Sequence, residues 1–78
     1  MICNNVEKIR KVKGVTKTHL AGILGLSLNG YRYIMSKDSN LDVERVKLIA
    51  DELNIAVEYF FDDKLTESVI NEANRKIG

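Results

Sequence analysis

Between Thr16 and Met35 the sequence reads TKTHLAGILGLSLNGYRYIM, and its punctuation limits the chain more than any other feature. Apolar residues recur at helical spacing on both sides of Gly25, yet only Gly25 and Leu26 separate the first segment from Ser27, a good cap for the second. A glycine there supplies a backbone of positive φ, which costs a residue with a side chain roughly 1 kcal/mol or more. The spacing therefore predicts two short helices, the first of about two turns, folded tightly against each other. The second of them carries Leu, Asn, Arg and Tyr on its outer side.

The same reading extends along the rest of the chain. NNVEKIRKVK sets Val6, Ile9 and Val12 at helical spacing, with Asn4 or Asn5 to cap the start and Gly14 to stop it. Thr16 caps a second helix with Leu20, Ala21 and Leu24 on one face. In the third, opened by Ser27, Tyr31, Ile34 and Met35 point one way, while Leu28, Asn29, Arg32, Tyr33 and Ser36 point the other. KDSN is a polar loop, after which Asp42 caps a fourth helix buried through Val43, Val46, Ile49, Ala50 and Leu53. Asn54 suits the left-handed terminal position. IAVEYFFDD predicts a short fifth helix anchored by Val57, Phe60 and Phe61, although Ala56 is a poor cap. In KLTESVINEANRKIG, Leu65, Val69, Ala73 and Ile77 fall at four-residue intervals with Ile70 nearby, predicting an amphipathic sixth helix. Strand signals, repeats, linkers and low-complexity tracts are absent. The expectation is one all-α domain over residues 1–78, with a core of about 5–62 and a C-terminal helix of about 64–77.

A chain of 78 residues with 45% hydrophobic content lies near the lower limit at which one core holds a fold without staples. Cys3 is the lone cysteine and His19 the lone histidine, so neither a disulfide framework nor a metal site is expected, and a reducing compartment is the natural setting. Cys3 reads as a free, unimportant thiol near a flexible start, and His19 as solvent-exposed or close to a phosphate. MICNNVEKIR lacks the basic region and apolar core of a secretory leader, and no apolar run is long enough to cross a bilayer. These features predict a soluble, cytoplasmic protein with no membrane partner. No Ser, Cys or carboxylate falls into a nucleophile-and-base arrangement, so no catalytic residues and no cofactor are expected.

Charge separates along the chain. Residues 1–37 carry seven Lys or Arg against Glu7 alone, a net +6, whereas residues 38–78 carry five basic and ten acidic side chains, a net −5, and together these give the overall +1. The basic half suits phosphates and the acidic half does not.

A capped pair of short helices joined at a glycine, the second with an exposed mixed face, is the form of a helix-turn-helix, whose second helix is carried into the DNA major groove. Through TKTHLAGILGLS, the IRK of the first helix, DVERVKLIADELNI and the closing VEYFF, the chain resembles the Cro/repressor (XRE-type) helix-turn-helix family over about Val6 to Phe61. The resemblance implies a lambda-repressor-like five-helix DNA-binding domain, here with an added C-terminal helix. It further implies a homodimer on operator DNA that controls transcription, commonly in phage or other mobile-element circuits. Phosphate contacts would then fall on Thr16, Lys17 and Thr18, with Ser36 and Lys37 added at the far end. Base contacts would fall on Leu28, Asn29 and Gly30, with Arg32 and Tyr33 beside them. The chemistry is compatible: Asn29 can pair bidentately with adenine, Leu28 can pack on a thymine methyl, and Arg32 can read guanine or hold a phosphate, each good base contact being worth on the order of 1 to 3 kcal/mol.

Two residues depart from the family pattern. Its members often pair an arginine of the first helix with a glutamate near the end of the third. Here Arg10 is present but Met35 stands in the acidic slot, so Arg10 needs another partner, with Asp38 the first choice. Gly30 lies inside the third helix, which weakens it by about 1 kcal/mol relative to alanine and also permits close approach to a partner. Leu48 and Tyr59 are expected to face away from the core and, with Leu65, Val69, Ala73 and Ile77, are candidates for a homodimer face, although the last helix can equally fold back on its own domain. A protein-interaction module on the same scaffold, such as a small phage modulator or antitoxin, is the alternative reading, favoured by Leu28, Gly30 and Tyr33. A domain that binds DNA without sequence preference is the third.

Overall fold

A computed structural model describes the backbone of residues 2–77 and the side chains of residues 2–75. Five α-helices and two 3₁₀ segments make up its regular structure, and the described residues contain no strand: α1 (Ile2–Val12), α2 (Lys17–Ile23), α3 (Leu28–Ile34), a 3₁₀ turn (Asp38–Asn40), α4 (Val43–Leu53), a 3₁₀ helix (Val57–Phe61) and α5 (Asp63–Ile77). The Cα radius of gyration of 12.0 Å is close to the roughly 11.5 Å expected of a compact chain of this length.

The local stop and start signals work as the sequence suggests. Thr16 Oγ1 accepts the His19 N–H at 3.0 Å, Ser27 Oγ accepts the Gly30 N–H at 3.1 Å and Asp42 Oδ1 accepts the Arg45 N–H at 2.8 Å. At the other ends, Gly14, Gly25 and Asn54 take φ of 73°, 70° and 56°. At Gly25 the next residue, Leu26, donates its N–H to Ala21 O at 2.8 Å, while Gly25 itself donates to Gly22 O at 3.1 Å. These paired bonds satisfy the last carbonyls of α2 and turn the chain into α3.

The core joins the helices through Val6 and Ile9 of α1, Leu20 and Ala21 of α2, Tyr31 of α3, Val46, Ile49, Ala50 and Leu53 of α4, and Phe60. α5 lies against α1 and the 3₁₀ helix. Tertiary partners decide several positions differently from the sequence. Neither Asn4 nor Asn5 caps α1. Its first donors, Ile2 N and Cys3 N, go to the Asp38 carboxylate at 3.2 and 3.0 Å. Asn5 is buried instead, and its Nδ2 donates to Phe60 O at 2.9 Å and to Asp63 Oδ1 at 3.0 Å. Cys3 is likewise buried; burial first, and then its hydrogen bond to the Asp38 carboxylate, push its thiol up to about 11, so it stays protonated and unreactive at neutral pH.

Val43, expected in the buried stripe of α4, is 67% exposed, and Leu41 joins the core there instead. The fifth helix is a 3₁₀ segment with no side-chain cap at Ala56. Its three-residue period puts Val57 and Phe60 on one face and turns Phe61 out to 59% exposure, whereas an α-helix would have kept all three together. The same change of period brings Tyr59 to half-burial against the core rather than facing away from it. α5 begins at Asp63, capped by Asp62 Oδ1, which accepts Lys64 N at 2.8 Å and Leu65 N at 3.2 Å. Its inward position is held by Thr66, fully buried because its hydroxyl donates to Tyr59 O at 2.5 Å; Val69, Ile70 and Ala73 are half-buried and Leu65 is left exposed. The start of α5 thus folds back on its own chain. Among the described residues no helix is long and apolar enough to cross a membrane.

Candidate nucleic-acid interface

α2 and α3 pack on each other, and the segment from Thr16 to Lys37 contains no Asp or Glu. Its cations Lys17, Arg32 and Lys37 are exposed, and none forms an ion pair with a described residue. On α3, Asn29, Arg32 and Tyr33 are exposed, Tyr33 to 69%, whereas Leu28 and Gly30 are half-buried. Thr16, Lys17, Thr18, Ser36 and Lys37 are exposed as well. Two of these hydroxyls are already engaged within the chain: Thr16 Oγ1 in its capping bond, and Ser36 Oγ in donating to Tyr33 O at 2.6 Å. Asn40 Nδ2 donates to the same carbonyl at 3.0 Å, fastening the end of α3 to the turn that follows.

The fold brings Lys17, from the first position of α2, and Arg32, from the last turn of α3, to one shallow recess of about 200 Å³ lined also by Glu7, Tyr31 and Met35. Two cations far apart in sequence thus share one concavity, an arrangement suited to an anionic backbone. The negative charge of Glu7 is taken up chiefly by Arg10 and offsets Lys17 only in part. Its carboxylate accepts Arg10 Nε at 3.2 Å, Arg10 Nη2 at 2.9 Å and the Tyr31 hydroxyl at 2.7 Å. Burial alone would raise its pKa, but the bonds from Arg10 and Tyr31, and the charges of Arg10 and Lys17, outweigh this and hold it below the ordinary glutamate value.

Arg10 therefore does not pair with Asp38, which is occupied at the start of α1. It pairs with Glu7 one turn earlier and donates Nη1 to Val15 O at 2.6 Å. The signals for this cluster were a Glu and an Arg three apart on one helix, and a tyrosine on the buried side of the third helix whose hydroxyl needs a partner. His19 is exposed and pairs through Nε2 with Glu52 Oε2 near the end of α4.

The homodimer candidates do not share one feature. Tyr59, Val69 and Ala73 line an open groove of about 640 Å³ together with Val12, Ile55 and others, while Leu48, 45% exposed, and Leu65, 36% exposed, lie outside its lining. The side chain of Ile77 lies outside the described residues. No protein-family model matches this chain, and no curated protein or solved structure matches it either.

Proposed function

We propose that the protein is a sequence-specific DNA-binding transcriptional regulator of Cro/repressor type on a lambda-repressor-like fold. α3 enters the major groove, Lys17 grips phosphate, and Asn29 and Arg32 select bases. The observation that carries this reading is the acid-free α2–α3 pair, with Lys17 and Arg32 at one recess and Asn29, Arg32 and Tyr33 exposed along α3. A homodimer fits the role, because two recognition helices about 34 Å apart read an inverted repeat. The test is retention of duplexes from a random library at two salt concentrations, followed by sequencing. Enrichment of an inverted repeat, with steep salt dependence, is the expected result.

A second reading, a protein-interaction module that masks another regulator, is favoured by one observation. Tyr33 is a large side chain left 69% exposed beside Leu28 and Gly30, a surface that also suits a protein groove. Retention of no duplex at either salt concentration would favour it.

A further inference from the structure

α3 rests on α2 and on the 3₁₀ turn Asp38–Asn40, and its direct tie to α1 runs through a side chain. Tyr31, 1% exposed, donates its hydroxyl to Glu7 Oε2 across 24 residues of sequence. The same carboxylate holds Arg10, and Arg10 Nη1 reaches Val15 O, one residue before the cap of α2. A continuous chain of hydrogen bonds therefore links the middle of α3, the middle of α1 and the segment that leads into α2. Tyr31 and Glu7 also line the recess over which Lys17 and Arg32 stand.

We infer that Tyr31, Glu7 and Arg10 are positioning residues that fix the angle at which α3 is presented, so that one buried hydroxyl governs how well the exposed face of α3 reads its partner. With Met35 rather than an acid at the end of α3, Arg10 is held by a carboxylate from α1 itself, and α3 joins that carboxylate through a phenol. Charge-assisted bonds of this kind are short and directional, and a chain of them has one preferred geometry. Burial drives the Tyr31 phenol well above its ordinary value, and the bond to Glu7 adds to this, so the hydroxyl remains a donor throughout the neutral range. The effect on base reading rests on the proposed DNA function; the effect on the orientation of α3 belongs to the free protein.

The test compares the wild type with Tyr31→Phe, which keeps the buried ring and removes only the hydroxyl. Backbone residual dipolar couplings of the free proteins report the angle of α3. The couplings of residues 28–34 are expected to shift together while those of α1, α4 and α5 hold. With the duplex selected from the library, the affinity ratio over a scrambled duplex is expected to fall about tenfold, with the salt slope unchanged. Glu7→Gln, which still accepts the hydroxyl but weakens the Arg10 pair, is expected to shift the same couplings less. A lower melting temperature with unchanged α3 couplings in both variants, and an unchanged affinity ratio, means that the network is structural only and overturns the inference. If the wild type retains no duplex, the DNA reading fails, and the couplings alone then decide whether the network sets the angle of α3.

Discussion

The α2–α3 pair and the assembly of α1, α4 and α5 around Phe60 are built on different principles. α2 and α3 have seven residues each and contribute only Leu20, Ala21 and Tyr31 to the core, and their starts are closed by the neighbouring Thr16 and Ser27. The other region has longer helices and most of the buried apolar residues; local caps at Asp42 and Asp62 open α4 and α5, but its buried polar contacts reach between elements, with Asp38 on the first N–H groups of α1, Asn5 on Phe60 O, and Thr66 joining α5 to Tyr59 O seven residues earlier. One region leaves side chains free for an outside partner. The other consumes its polar groups in holding the molecule together.

Substitutions should follow this division. The largest loss is expected for Phe60→Ala, which empties a fully buried aromatic site among α1, α4 and α5 and should cost about 3–5 kcal/mol in urea unfolding. Thr66→Val keeps the shape of the side chain and leaves Tyr59 O without its 2.5 Å donor, for an expected loss of about 1–3 kcal/mol by the same measurement. An unchanged midpoint would mean that water replaces the hydroxyl and that α5 is not anchored there.

Asp38→Ala removes the cap of α1 and should cost about 1 kcal/mol at neutral pH. Its pH dependence has a definite sign. The Cys3 N–H, chief among the groups bonded to it, holds the Asp38 carboxyl below its ordinary value, and the network of Arg10 and Tyr31 does the same for Glu7 against the pull of burial. Both carboxylates therefore contribute stability that is fully present above their unfolded values near 4 and is lost as the pH falls through the lower folded ones. Melting temperatures recorded from neutral pH down through that window should drop for the wild type and drop less steeply for Asp38→Ala.

The α2–α3 pair should respond in the opposite sense. At Gly30 an added Cβ would meet Leu26 Cβ and Ser27 Oγ at 3.4 Å, ordinary contact, so Gly30→Ala is expected to stabilise the protein by up to about 1 kcal/mol. Smallest of all, Lys17→Ala and Asn29→Ala should alter stability by no more than about 0.5 kcal/mol. A large loss from either would show that this surface carries the fold.

What the sequence discloses follows the same line. Thr16, Ser27, Asp42, Gly14, Gly25 and Asn54 act within a few residues of themselves, and each cap and stop could be read from its immediate neighbours. The exposure of Asn29, Arg32 and Tyr33 was legible for the same reason, since a helical period of 3.6 decides which side faces out. Asp38, Asn5 and Thr66 were not legible, because each is a polar residue whose role depends on a group that only the folded chain brings near. A period of 3.6 puts Phe61 and Tyr59 on the wrong sides, because the segment winds with three residues per turn. In the candidate site, Lys17 and Arg32 could be named as cations, but their shared recess and the Glu7–Tyr31 bond beneath it arise from packing alone.

The central claim is that the exposed face of α3 reads a duplex whose backbone α2 grips. It is tested most directly by titrating wild type, Lys17→Ala and Asn29→Ala against the library-selected duplex and a scrambled one at several salt concentrations. The account predicts that Lys17→Ala weakens both duplexes alike and lowers the salt slope by about one, whereas Asn29→Ala weakens the selected duplex and narrows its advantage over the scrambled one. Equal losses on both duplexes in both variants, or no loss in either, would contradict it.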